Sequence, residues 1–381
     1  MAKRRLCLLL GFLLLLSLSG CWSYRGLNEI VIVAGMALDK NGENGRYKLS
    51  FEFVTTSTSS SDNGGASSEI LESEGDTLFE AVRMAKRKVK NRLYFGHTQL
   101  FILSQELART EDIGPFLDFV MRDNEVRETM LLCVSQDDTA QDILKASGID
   151  EKILSIKLQK ILENDSKLTA STVDVAVYNA FDIINTPGRD LALAAVRTVK
   201  NGEESIPVAN GIAVFKDRKL VGFLPPDEAR MFLFCVGKVE GGICTFPSTD
   251  GGENDCSLEI AESQTKRSVE ERNGEPVIKL EVNIIGFLGE IMHPGVVLDL
   301  DKVKELQRRA ADELEREIGK LVKKVQTLYK ADIFGFGSLV NQKSKRLWKT
   351  IQNRWDSMFE SVQVDVKVDV TIANTAALGK S

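Results

Sequence analysis

The sequence predicts a mixed α/β (α+β) protein, with mixed sheets packed by helices, set behind a short apolar leader. Three observations carry this. Segments of β-branched residues or strict period two, such as 30–38, 47–54 and 362–372, recur along the chain. Stretches of helical period, such as 77–91 and 302–330, are interleaved with them. The chain has 381 residues, 43% hydrophobic and 27% charged, enough to bury more than one core. The expected organisation is a leader over 1–20 and three further parts. These are an N-terminal mixed α/β domain over 21–205, a small middle α/β domain over 206–265, and a C-terminal α/β domain over 266–381 with a long helix and a final strand.

The leader, MAKRRLCLLLGFLLLLSLSGC, opens on Lys3, Arg4 and Arg5 and runs apolar from Leu6 to Leu16, interrupted only by Gly11. That run fits a secretory h-region and falls short of the roughly 20 residues that span a bilayer. Leu18-Ser19-Gly20-Cys21 closes it with small residues and resembles the lipobox of bacterial lipoproteins. Cleavage is expected between Gly20 and Cys21, with a diacylglycerol on the Cys21 sulfur and an acyl chain on the new amino terminus; no other cofactor is expected. One acyl chain holds a protein marginally and two anchor it, at about 0.8 kcal/mol per buried methylene. The body then lies on the outer face of the cytoplasmic membrane.

Residues 30–38, IVIVAGMAL, read as a buried strand; the turn chemistry of 39–45 and the alternating 47–54 complete a hairpin. The Ser/Thr/Gly-rich 55–68 reads as a mobile loop. Thr77 and Glu80 have capping-box spacing, and Leu78, Ala81, Val82, Ala85 and Val89 share a face, so 77–91 reads as a helix. Its end carries Lys86, Arg87, Lys88 and Lys90, which suit a helix C-terminus and read as a solvated end rather than a lipid contact. A turn and strand over 93–104, a helix in DIGPFLDFVMRD, a strand in TMLLCVS, a helix in DDTAQDILKAS and a strand over 191–199 continue the alternation.

After the boundary at 201–211, residues 212–224 read as two short strands about a charged turn, followed by a short helix in PPDEARMFLFCVG. About 60 residues bury only a modest fraction of their surface, so a middle domain here would lean on its neighbours. Residues 277–291 read as a strand. Asp299 or Asp301 then caps a long helix whose Val303, Leu306, Ala310, Leu314, Leu321, Val325 and Leu328 form one stripe. Glu305–Arg309 and Asp312–Arg316 have the spacing of supporting ion pairs. ADIFGFG turns the chain into a second helix bearing Trp348, and 362–372 alternates Val with polar residues as a strand with one wet face.

Net charge is −6; loss of Lys3, Arg4 and Arg5 with the leader makes it −9, which argues against nucleic acid as a partner and against a broad polybasic grip on lipid. The two histidines, His97 and His293, have no Cys-x-x-Cys companion, so a zinc site is not expected. His97 has no acid, nucleophile or metal partner in a nearby motif and reads as a hydrogen-bonded turn residue. Cys133 and Cys235 sit in apolar runs and read as small buried hydrophobes. Cys244 and Cys256 flank a turn-rich segment in an exported chain and are the disulfide candidates. Phosphate-loop, nucleophile-elbow and His-Glu-x-x-His motifs are absent from the sequence, which favours a non-enzymatic role.

Several stretches, in order, resemble the C-subunit lipoprotein of bacterial spore germinant receptors, the Ger(x)C family. They are GCWSYRGLNEIVIVAGMALDK with Cys21, Trp22, Glu29 and Asp39, YFGHTQLFILSQELAR, FLDFVMRDNEVRETMLLCV, NGIAVFKDRKLVGFL, IIGFLGEI, and YKADIFGFGSLV with WKTIQNRWDSMF downstream. Ser23 departs from the acid common at its position in the family. The resemblance implies a three-domain protein, tethered by lipid on the outer face of the spore inner membrane. It also implies a complex with two multi-pass membrane subunits, A and B, that starts germination in response to nutrients. A solute-binding lipoprotein that captures the nutrient itself is the alternative, and an envelope hydrolase a third.

Overall fold

In a computed structural model the described residues are 4 and 5, 29–42, 45–56, 66–123, 125–148, 151–249, 252–292 and 298–373. Nine strands build a first sheet: β1 (Ile30–Gly42), β2 (Gly45–Thr56), β3 (Ala66–Gly75), β4 (Arg92–Tyr94), β5 (Leu100–Ser104), β6 (Leu131–Ser135), β7 (Ala192–Asn201), β8 (Glu204–Lys216) and β9 (Lys219–Leu224). Their order is β3-β2-β1-β5-β6-β7-β8-β9, with β4 beside the start of β1. β1, β5, β6 and β7 run parallel, and the pairs toward both edges are antiparallel. The parallel centre is buried on both faces, as every residue of β5 and β6 shows.

One face is covered by α1 (Leu78–Ala85), α2 (Gln105–Thr110) and α3 (Gly114–Arg122), which join Met36, Leu38, Phe101 and Leu103 in one core. The other is covered by α4 (Gln141–Lys145) and α5 (Leu154–Leu168), whose Ile143, Leu144, Leu158 and Leu162 pack on Ala37, Leu100, Ile102 and Cys133. Thr77 caps α1 as its spacing predicts, accepting from the Glu80 amide, while Glu80 accepts from the amide of Asp76. Buried carboxylates start the helices of the second face. Asp39 accepts the amides of Ala140 and Gln141; Glu52 accepts those of Leu154 and Ser155. The segment 155–188 also contains α6 (Val177–Ile184).

A second sheet, in the order β10-β11-β12-β13, contains β10 (Ile243–Pro247), β11 (Asn254–Arg272), β12 (Glu275–Ile291) and β13 (Gln363–Ile372). β11 and β12 form a long hairpin closed by Asn273 and Gly274, at φ 53° and 79°, as a two-residue type I′ turn requires. The long helix α8 (Leu300–Lys324) lies against β13, and α7 (Pro226–Val236) packs on α8, β8 and β11, joining the two sheets. Asp299 is the cap of α8.

Four expectations are corrected. Only 57–65 separate β2 from β3 and lie outside the described residues; the rest of the Ser-rich stretch is strand, with Thr56 paired to Ala66 and Tyr47 to Gly75. Residues 206–265 are not a middle domain: β8 and β9 complete the first sheet, and β10 and β11 begin the second. Leu328 leaves the α8 stripe and is 63% exposed, because the π-turn Val325–Tyr329 adds a residue to the last turn and shifts the phase; Ile318 joins the stripe instead. Arg316 pairs with Glu313 and Glu317, and Asp312 with Arg308, while Glu305–Arg309 forms as expected at 2.7 Å.

Candidate functional site at the junction of the two sheets

Gly20 and Cys21 lie outside the described residues, as does His293. His97 is exposed in the turn before β5, its ring edge-on to Tyr94 at 5.6 Å and its carbonyl accepting from Gln99. Cys133, Cys235, Cys244 and Cys256 are buried, free thiols. The β10–β11 register sets Cys244 opposite Leu258 and Cys256 opposite Phe246, so the two disulfide candidates are diagonal neighbours on one buried face, not an opposed pair. Burial pushes the Cys235 thiol up to about 12 and those of Cys244 and Cys256 to about 11, far from the thiolate form a nucleophile needs.

A buried polar constellation lies where the second sheet's helices meet the first sheet. After α8, Lys330 at φ 52° turns the chain and delivers Asp332 into the interior. The Asp332 carboxylate accepts three N–H groups: the amides of Phe336 at 2.9 Å and Gly337 at 2.8 Å, and the Trp355 indole at 3.0 Å. It thereby caps α9 (Phe336–Lys343) and fixes α11 (Trp355–Phe359), with α10 (Lys345–Ile351) between them. Burial pushes its pKa up to about 6, against the pull of those three donors.

The partner side is the loop before β7. Asp190 and Asp332 exchange hydrogen bonds: the Asp190 amide donates to the Asp332 carbonyl at 2.9 Å, and the Asp332 amide donates to the Asp190 carboxylate at 2.7 Å. Lys216 on β8 bridges Asp190 at 3.1 Å and Asp356 at 2.7 Å. Gly188 and Gly337 touch backbone to backbone. A Cβ on Gly337 would lie 2.5 Å from the Trp355 indole nitrogen, and one on Gly188 would lie 2.6 Å from Trp348. Farther along, the Tyr329 hydroxyl donates to the Phe223 carbonyl at 2.9 Å.

Beside this junction is a cavity of about 170 Å³ lined by Arg189, Arg267, Phe232 and Phe334 among others. Arg267 donates to the Phe334 carbonyl at 2.6 Å and lies over the Phe336 ring. The geometry is that of a clamp: each carboxylate is occupied by protein donors, and among the described residues no group of three or more His, Cys, Asp or Glu is placed to hold a metal. The sequence reading found the turn at ADIFGFG but not the clamp. Its signal was a lone acid in an apolar stretch, just ahead of a Gly-Phe-Gly helix start.

A family model described as "Spore germination protein N-terminal domain" matches residues 23–198, and one described as "Spore germination B3/ GerAC like, C-terminal" matches 210–376. The chain belongs to this spore germination family, Ger(x)C. The Ger(x)C likeness runs end to end. Spore germination protein KC of Bacillus subtilis (strain 168) is 28% identical, with 96% of this chain and 95% of that protein covered. Spore germination protein B3 of the same organism is 25% identical over 97% of each chain. Spore germination protein A3 is 24% identical over 100% of this chain and 99% of that one. The crystal structure of the GerBC protein has the same fold, with a TM-score of 0.61 at 21% identity over 89% of this chain and 97% of that one. The border between the two Ger(x)C models falls at β8, the strand that carries Lys216 of the clamp.

Proposed function

We propose that this chain is the lipid-anchored, non-catalytic C subunit of a nutrient germinant receptor, acting in the initiation of spore germination. The observation that carries the reading is the end-to-end likeness to proteins named for spore germination, behind a leader that ends in Leu18-Ser19-Gly20-Cys21. Among the described residues no helix is long and apolar enough to cross a membrane. Attachment is assigned to a diacylglycerol and an N-acyl chain on Cys21, on the outer face of the cytoplasmic membrane that becomes the spore inner membrane. The partners are two multi-pass membrane subunits. Tethering confines all three to one surface and raises their effective concentration for assembly.

Direct capture of the nutrient is the less favoured reading. A pocket for a small molecule usually offers about 300–1,000 Å³ of mostly apolar lining. The junction cavity, at about 170 Å³, is smaller. The larger groove, about 820 Å³, is lined by charges already paired with one another, Glu228 with Lys324 and Glu313 with Arg316. Affinity purification of the tagged chain from detergent-solubilised spore membranes tests the proposal. Two polytopic proteins should co-purify in fixed proportion; recovery of the chain alone would refute the assembly role.

A further inference from the structure

The helix expected over 77–91 stops at Ala85, and the basic segment that follows it, 86–91, runs to the end of the first sheet from which the tether leaves. β1 begins at Ile30, nine residues after Cys21. Its first residues pair in parallel with β4, Ile30 with Arg92, Val31 with Leu93 and Ile32 with Tyr94. Parallel strands in that register start at one end of the sheet, so the residues that lead into β4, Lys90 and Asn91, stand where the chain departs toward Cys21, and Arg87 and Lys88 approach from the β3 edge. Nine residues reach at most about 30 Å, so this end of the body stays within that distance of the acylated sulfur.

The charge of this end is opposite to that of the rest. Residues 81–105 hold Arg83, Lys86, Arg87, Lys88, Lys90 and Arg92 and no acid, leaving −15 on the remainder of the mature chain. Glu125 offsets part of this, pairing with Lys86 at 3.6 Å and with Arg92. Lys88 donates to the Glu72 carbonyl, a neutral acceptor, at 2.8 Å. Arg87, Lys88 and Lys90 are exposed, and none of them is ion-paired among the described residues. Two residues beyond Arg92 on β4, Tyr94 is 42% exposed, its ring turned toward Gly96 and His97. Gly96 makes room for it, since a Cβ there would lie 2.5 Å from the Tyr94 hydroxyl. An amphipathic ring four residues along the chain from a basic cluster has the composition favoured at a bilayer surface.

We propose that Arg87, Lys88 and Lys90, which the sequence alone reads as a solvated end, instead form with Tyr94 the membrane-facing surface of the body and dock on anionic lipid headgroups, setting the body's orientation. The proposal rests on acylation of Cys21. A net charge of −9 opposes binding of the free body, but the tether already holds this end within reach. Inside the Debye length the cluster is attracted while the acidic remainder is turned away.

The test is hydrogen–deuterium exchange of the mature acylated chain reconstituted on vesicles of phosphatidylcholine alone or with phosphatidylglycerol, after flotation. The chain should float with both vesicles. Exchange over 83–97 should slow by about fivefold on the anionic vesicles only, and the slowing should vanish in high salt and in Arg87→Glu/Lys90→Glu. Flotation with equal exchange on both lipids would overturn this surface and leave anchoring intact. Failure to float would overturn anchoring and the surface with it.

Discussion

Asp332 shows how much one buried side chain can organise. Its carboxylate starts α9 and holds Trp355, while its amide donates to the Asp190 carboxylate in the loop before β7. Asp332→Asn leaves one oxygen and a mismatched amide facing N–H donors, and should cost about 1–3 kcal/mol of stability, read as a lower urea midpoint. The pH dependence has a definite sign. An acid whose folded pKa is raised to about 6 from 3.8 binds its proton more tightly in the folded chain. Its stabilising share is full below the unfolded value and is lost as pH climbs through about 6. The stability difference between wild type and Asp332→Asn should therefore shrink across that window; a difference independent of pH would contradict the assignment. Cysteine gives a second residue-scale expectation. With four buried free thiols, alkylation should be slow in the native chain, and all four should react after unfolding without reductant. Only two reacting would show a Cys244–Cys256 bond.

At the scale of elements, what the sequence made legible was local chemistry and unbroken periodicity. β13 alternates, α8 has its Asp299 cap and its stripe, and Thr77 caps α1. The misses share a physical cause: partners far along the chain decide them. β3 is Ser-rich and weakly patterned, and β2 makes it a strand by pairing with it residue for residue. The hairpin of β11 and β12 did carry a local sign, Asn273-Gly274, whose positive φ values a type I′ turn demands. Gly274→Ala, at φ 79°, should cost about 1 kcal/mol. The edge of β13 holds another consequence. Its outward amides at Val368 and Ile372 donate to Glu315 and Gln307 of α8, at 2.8 and 3.0 Å, so the helix covers an edge that would otherwise pair with another strand. In Glu315→Ala/Gln307→Ala these two amides should exchange faster by NMR, with their β12-facing neighbours unchanged.

At the scale of the whole molecule, the expected middle domain dissolves into two sheets that share the stretch between β8 and β11. Charge and composition change little across 206–265, so only the pairing partners reveal the division. A fragment spanning 266–381 lacks β10 and most of β11 and should not fold, as judged by circular dichroism. The clamp of Asp190, Lys216 and Asp332 joins the sheets by main-chain and ionic contacts. The candidate site was legible only as a turn followed by a helix, because its acids come from positions 190 and 332. The proposed anchor, by contrast, is read entirely from a local motif, Leu18-Ser19-Gly20-Cys21. The direct measurement is incorporation of a clickable fatty acid into the wild-type chain and Cys21→Ala in sporulating cells, with nutrient-triggered germination scored on the same spores. Label on the wild type only, together with loss of most of the germination response in Cys21→Ala, is expected. Equal labelling of both, or full germination by an unlabelled Cys21→Ala, would contradict the lipid-anchored subunit.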